Sequence, residues 1–136
     1  METKQRYTFK KNEKLKSRKT IEQLFKEGNS FSNFPFRIVW KFNDVAKAPV
    51  QAGFAVSSKH FKNAVDRNRV KRLMRETYRL QKSELQSQLF QRQKLMAVFI
   101  IYVGNELPDY GFVFDKMNHV LERLIKITNE NFPANT

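Results

Sequence analysis

An amphipathic helix is the first element that the pattern of apolar positions predicts. Its apolar residues recur at helical spacing: Ile21, Leu24 and Phe25. Ser17 or Thr20 can cap the start of this helix, and Gly28 is well placed to end it. The pattern therefore predicts a short helix packed by one face.

Strand patterns follow this helix. Residues 36–42 alternate apolar and polar side chains, which is typical of a half-buried strand. The apolar face of that strand comprises Phe36, Ile38, Trp40 and Phe42. Phe31 and Phe34 indicate a short preceding strand with Pro35 at the junction, and residues 50–56 predict a return strand.

Helical periodicity returns in the second half of the chain. Residues 66–80 predict a helix, because at 100° per residue their side chains separate into two faces. The face predicted to point inward comprises Val70, Leu73, Met74, Thr77 and Leu80. The face predicted to point outward comprises Asn68, Lys71, Arg72, Arg75 and Arg79. Residues 83–93 predict a weaker helix, and the apolar run 95–103 predicts a central strand buried on both faces. The last helix has an inward stripe and ends before Pro133; the stripe is Val113, Met117, Val120, Leu121, Leu124 and Thr128. The order α-β-β-β-α-β-α predicts a single-domain, two-layer α+β sandwich.

Positive charge is concentrated in two parts of this 136-residue chain, whose net charge is +13. Residues 1–19 and 59–79 each carry +6, and the rest of the chain carries only +1. Two such blocks favour a docking surface for a polyanion, nucleic acid before an acidic membrane, over lysines scattered for solubility. We predict a flexible basic arm over residues 1–14 and one RNA-binding domain over residues 15–132.

The sequence offers no combination of residues suited to catalysis or metal binding by the protein itself. The absence of Cys excludes disulfides, a thiol nucleophile and cysteine metal sites. His60 and His119 are far apart, no Asp-x-Asp pair is present, and Gly53 and Gly104 are isolated rather than part of a phosphate-binding loop. We therefore predict no catalytic residue, no protein metal site and no small-molecule substrate. Since no apolar run is long enough for a membrane span or a signal core, we predict no membrane partner and expect the cytoplasm.

Residues 53–76 predict a strand that runs through a basic turn into a helix with a basic solvent face. Arg side chains bind phosphate oxygens bidentately, Lys adds point charge, and a helix N-terminus favours anions. Asn68 can donate and accept hydrogen bonds, so it suits both phosphate and base or sugar groups. The candidate nucleic-acid-binding residues are Lys59, Lys62, Arg67, Asn68, Arg69, Lys71, Arg72, Arg75 and Arg79.

Arg67-Asn68-Arg69, within residues 63–76, resembles the RNR signature of the bacterial ribonuclease P protein family. The resemblance includes residues 53–59, the pair Leu15-Lys16 and the helix end at 24–28, and it covers about residues 13–130. One departure is a turn one residue longer than the commonest form, with Phe61-Lys62 where a Gly is frequent.

This resemblance implies a subunit that binds a catalytic RNA, ribonuclease P RNA, and promotes endonucleolytic removal of the 5′ leader from precursor tRNA. It implies that Mg²⁺ is held mainly by the RNA subunit, that the RNR helix docks on that RNA, and that a left-handed crossover joins parallel strands. A cleft between the first helix and the sheet would contact the leader, with these candidate residues: Ile21, Phe25, Arg37, Val39 and Lys41. Ile21 and Phe25 are equally explained as core. A ribosomal-type RNA-binding protein without enzymatic function is the alternative interpretation of the basic surface.

Overall fold

The computed structural model describes residues 8–44 and 48–133, which form four helices and four strands. A 3-10 turn, Lys11–Glu13, precedes α1 (Arg18–Glu27), β1 (Asn29–Asn33), β2 (Phe36–Asn43), β3 (Val50–Val56), α2 (Ala64–Gln81), α3 (Ser83–Gln91), β4 (Leu95–Tyr102) and α4 (Tyr110–Asn131). The predicted α+β class is confirmed, and the element order fits the prediction with α3 as an additional helix between α2 and β4. No helix within these described ranges is long and apolar enough to cross a membrane.

The sheet is mixed, and its strand order is β1-β2-β4-β3. β2 pairs antiparallel with β1 and with β4, whereas β3 pairs parallel with β4. The predicted return strand has the right bounds but is not the neighbour of β2, because the strongly apolar β4 lies between them. The connection from β3 through α2 and α3 to β4 is the crossover that the family resemblance predicts to be left-handed.

The main core lies between the sheet and the layer formed by α2, α3 and α4. The inward stripe predicted for α4 is buried at all six positions, and Phe36, Ile38 and Trp40 of β2 face the same core. Phe31 is buried too, but Phe34 is 68% exposed and lies in the β1–β2 turn rather than in a strand. The register explains this difference, since Asn33 pairs with Phe36 and leaves the two residues between them to form the turn.

A smaller core lies on the other face of the sheet, under α1. Its buried residues are Leu15, Leu24, Val39 and Ala97, with Ile21 and Phe99 packed against them. Ser17 caps α1 by accepting a hydrogen bond from the Thr20 N–H, and the helix ends at Gly28, as predicted. Thus α1 is separated by the sheet from the other helices.

The prediction of a loose arm over residues 1–14 is wrong for residues 8–14, and residues 1–7 lie outside the described part. The Phe9 ring packs edge-on against Tyr78, with 5.6 Å between centroids. Lys14 forms a parallel bridge with Ala52 of β3, and the carboxylate of Glu13 pairs with the ammonium of Lys82. The segment is ordered because an aromatic ring and a carboxylate both find partners that lie distant in sequence.

Candidate RNA-binding surfaces

The turn before α2 is anchored by its own side chains. Phe61, in the turn between β3 and α2, is buried, and its ring centroid lies 6.0 Å from that of Tyr102. Arg67 Nη1 donates to the Phe61 carbonyl at 2.6 Å, and Asn63 caps the helix by accepting from the Val65 N–H. Arg67 therefore fixes the turn, in addition to any charge it presents to RNA.

One face of α2 carries a line of four polar residues, which we call the α2 stripe: Asn68, Arg72, Arg75 and Arg79. Their spacing places them along one side of the helix over about 16 Å. The first three are exposed and Arg79 is half-buried, whereas Val70 and Met74 on the opposite side are fully buried. The predicted division of this helix into a basic and an apolar face is confirmed.

The charges of the α2 stripe are not equally free. The Arg79 guanidinium donates two hydrogen bonds to Glu76, which raises the pKa of Arg79 and lowers the pKa of Glu76. By contrast, within residues 8–44 and 48–133 no carboxylate lies at ion-pair distance from Arg72 or Arg75. These two arginines are therefore the best placed to meet phosphates.

The remaining predicted RNA-subunit residues flank this stripe. Arg69 is exposed on one border of the face, and Lys71 is half-buried. Lys59 and Lys62 are both exposed in the turn between β3 and α2. The structure thus brings most of the predicted cations onto one helix face and the turn that leads into it.

A second surface lies on the opposite face of the sheet, beside α1. Two rows of side chains cross the strands there: Arg37, Ile101 and Ala55, then Val39, Phe99 and Gly53. The Phe25 ring of α1 meets the Phe99 ring edge-on, with 5.2 Å between centroids. Phe25 remains 47% exposed, so its interpretation as a core residue is wrong. We call the surface formed by Phe25, Arg37, Phe99 and Ile101 the α1 cleft.

The other residues predicted for this cleft have different surroundings. Val39 is 5% exposed beneath α1, so the prediction that the strand presents it to the leader is wrong. Ile21 is half-buried against the smaller core. Lys41 pairs with Glu27 at 2.7 Å, and the hydrogen bond from Lys41 lowers the pKa of the Glu27 carboxyl. Arg37 is exposed and is the predicted cation that borders the aromatic pair.

Phe99 and Ile101 are residues of this surface that the sequence reasoning missed. Both are half-buried, although β4 was predicted to be covered on both faces. The Phe99 ring lies over Gly53, where an added Cβ would come within 2.8 Å of ring carbons, so a glycine is needed for the ring to lie there. Alternation along β4 could have predicted them, because residues two positions apart in a strand, such as Phe99 and Ile101, lie on the same face of the sheet.

Carboxylates and imidazoles are dispersed over the described part of the chain. No three His, Asp or Glu side chains lie close enough there to hold a metal ion, and His60 and His119 are both exposed. The surfaces that the structure assembles are formed by cations and aromatic rings, which bind phosphates and stack on bases.

Comparisons with known proteins identify the family of this chain. The family model of Ribonuclease P matches residues 9–125. The ribonuclease P protein component of Porphyromonas gingivalis (strain ATCC 33277) is 37% identical to this chain over 119 residues, which cover 87% of each chain. The ribonuclease P protein component of Borreliella afzelii is 34% identical over 95 residues, which cover 68% of this chain and 78% of the relative. The RNase P protein from Thermotoga maritima aligns with a TM-score of 0.64 at 27% identity, over 82% of this chain and 96% of that one. The Staphylococcus aureus RNase P protein shares the fold, with a TM-score of 0.66 at 24% identity, over 83% and 95%. The chain therefore belongs to the ribonuclease P protein family.

Proposed function

We propose that this chain is the protein subunit of ribonuclease P, which binds the catalytic RNA subunit and the 5′ leader of precursor tRNA and so promotes endonucleolytic 5′ maturation. The observation that carries the proposal is the match of residues 9–125 to the Ribonuclease P family. The α2 stripe and the α1 cleft supply two RNA-binding surfaces on opposite faces of one sheet. The family match favours this function over a ribosomal-type RNA-binding protein.

The α2 stripe is the proposed contact with the RNA subunit. Arg72 and Arg75 present planar guanidinium groups that can each bind two phosphate oxygens, and Asn68 adds a donor and an acceptor. Lys59 and Lys62 extend the positive surface beyond the helix N-terminus. Because the apolar side of α2 is buried in the main core, this face is held rigid and docks without reordering.

Catalysis in this proposal resides in the RNA subunit, which holds the Mg²⁺ ions that supply the reaction's electrophilic chemistry. The part of the protein is to hold the RNA subunit and the leader in a fixed relation. The cytoplasm is the proposed location, where tRNA precursors are processed.

The α1 cleft is the proposed leader site. Single-stranded bases stack on exposed aromatic rings, each stack contributing about 1–3 kcal/mol, and Phe25 with Phe99 provides such a platform. Arg37 lies in the neighbouring row and supplies a phosphate contact. Since Lys41 is paired with Glu27, we assign the main charged contact to Arg37.

Reconstitution tests the proposed function. The protein with ribonuclease P RNA, a precursor tRNA and magnesium should release the 5′ leader at low ionic strength, faster than the RNA alone. The protein freed of RNA should release none. Leader release by RNA-free protein would contradict the placement of catalysis, and a rate unaffected by the protein would contradict the subunit role.

Substitutions in the α1 cleft should affect precursor and not mature tRNA. Arg37→Ala with Phe25→Leu should weaken holoenzyme binding of leader-bearing precursor by about 1–2 kcal/mol, since the variant lacks one cation for a phosphate and part of one stacking surface. Equilibrium binding of both tRNAs measures this, with Lys94→Ala and Phe90→Leu as controls, both exposed and outside the cleft. Equal weakening for precursor and mature tRNA would remove these residues from the leader path.

A further inference from the structure

A second group of cations lies in the segment that leads into α1 and in the first turn of that helix, and we call it the basic edge: Lys10, Lys11, Lys14, Lys16, Arg18 and Lys19. All are exposed except Lys14, which is half-buried. The one acidic residue among positions 10–19 is Glu13, and its carboxylate is buried against the ammonium of Lys82. Within the described residues no carboxylate pairs with the basic edge, so its charge is uncompensated.

The basic edge is held on the sheet rather than loose. The Leu15 N–H donates to the Ala52 carbonyl at 3.0 Å, and Lys14 bridges the same residue of β3. Gln51 Nε2 donates to the Asn12 carbonyl at 2.9 Å. These contacts hold the backbone of residues 12–15 along the outer edge of β3.

Gly53 joins the basic edge to the α1 cleft. A Cβ placed on Gly53 would lie 2.8 Å from the Phe99 ring and 3.5 Å from the Leu15 carbonyl oxygen. The floor of the cleft and the segment that carries Lys16 are therefore direct neighbours. Arg18 lies two helical turns before Phe25, at i and i+7, and shares its side of α1. A chain that leaves the Phe25–Phe99 rings across β3 reaches these cations.

Toward β1, the described strand residues that continue the two rows of the cleft carry no charge. There β1 presents Ser30 and Ser32 in the two rows that cross the cleft, and both are exposed and uncharged. Arg123 lies beside β1, but it covers the Phe31 ring on the main-core face of the sheet. On the cleft face the described cations therefore lie toward β3 rather than toward β1. The cations also turn from the sheet face, at Arg18, around the edge of β3 to the 3-10 turn at Lys11. A flexible single strand can follow that turn, whereas a duplex is stiff over such a distance.

We infer that the basic edge binds backbone phosphates of leader nucleotides that lie beyond those held by the Phe25–Phe99 rings. The site takes single-stranded RNA without regard to sequence, because its groups are cations directed at phosphates rather than base edges. This inference rests on the proposed function and extends the leader path past the α1 cleft. It makes affinity depend on leader length.

A leader-length series with reconstituted holoenzyme tests the inference. The precursors carry leaders extended one nucleotide at a time, and the variant is Lys11→Gln with Lys16→Gln. The matched control is Lys94→Gln with Lys126→Gln, two exposed lysines outside both surfaces with the same loss of charge. In wild type, affinity should rise again once the leader extends past the cleft. For these long leaders, the affinity of the variant should be about three- to tenfold lower than that of wild type. The slope of log affinity against log salt concentration should be smaller by about one. Precursors with short leaders should bind to variant and wild type with equal affinity.

The contrary results are equally distinct. Equal losses for short and long leaders, or weaker binding of the RNA subunit alone, would place the basic edge on another RNA and overturn the inference. No loss relative to the control would leave these lysines merely solvated and overturn it too. If the wild-type holoenzyme neither cleaves nor prefers precursor over mature tRNA, the proposed function itself fails. Unchanged melting temperatures of both variants exclude misfolding as the cause, since all four lysines are exposed.

Discussion

Lys82→Met should destabilise the folded protein by about 3–5 kcal/mol, because it leaves the Glu13 carboxylate buried without its cation. Lys82 and Glu13 are only 1% and 7% exposed. The Lys82 ammonium also donates to the Thr8 carbonyl, and Gln86 donates to the same carboxylate oxygen of Glu13. Urea unfolding at neutral pH measures the loss as a lower midpoint, and Lys126→Met, at an exposed position, should change stability by less than about 0.5 kcal/mol.

The double variant Lys82→Met with Glu13→Leu distinguishes the cost of an unpaired buried charge from the cost of losing the ion pair. It should recover part of the loss, because apolar residues of similar volume can replace a buried ion pair at little cost. Burial by itself raises the pKa of Glu13, but hydrogen bonds from Lys82, the Lys10 backbone and Gln86 outweigh it, so the folded pKa lies below 4.5. The pair therefore stabilises the protein above the unfolded pKa, and this stability is lost as pH falls through the folded pKa. A Lys82→Met loss no larger than that of Lys126→Met would show that the pair is not buried in solution.

Periodic segments could be predicted because burial there is decided within one element. In α4, all six residues of the inward stripe are buried, and α2 separates Val70 and Met74 from Arg72 and Arg75 as its 3.6-residue repeat requires. Alternation in β2 likewise placed Ile38 in the main core. The cations of the α2 stripe were found for the same reason, since a basic face is a property of one helix.

Features that depend on two distant elements could not be predicted. No local pattern states that β4 separates β2 from β3, because strand pairing is set by the packing of whole layers. Phe25 and Val39 each had an apolar pattern compatible with core or cleft, and only the position of α1 across the sheet decides that Val39 is covered and Phe25 is not. Residues 8–14 looked like a loose basic arm because the partner of Glu13 lies 69 positions away.

Arg72→Ala with Arg75→Ala should weaken binding of the RNA subunit by about 1–2 kcal/mol, since each guanidinium can contact a phosphate and neither has a carboxylate partner among the described residues. Both side chains are exposed, so the free energy of unfolding should change by less than about 0.5 kcal/mol per substitution. Equilibrium binding over a range of salt concentrations gives a second readout. The log–log slope should shrink by about one for each phosphate that the variant no longer neutralises.

Met74→Ala on the same helix is the matched contrast. Met74 is fully buried in the main core, so its truncation should lower the free energy of unfolding by about 2–5 kcal/mol through the cavity it leaves. Below its melting temperature this variant should bind the RNA subunit with the wild-type salt slope, because the α2 stripe keeps its charges. The double arginine variant should therefore lower the affinity for RNA without lowering stability, whereas Met74→Ala should lower stability without weakening the charge-dependent binding. Unchanged affinity and slope in the double arginine variant would mean that the α2 stripe is only a solvated face, and the RNA subunit would then have to dock elsewhere on this protein.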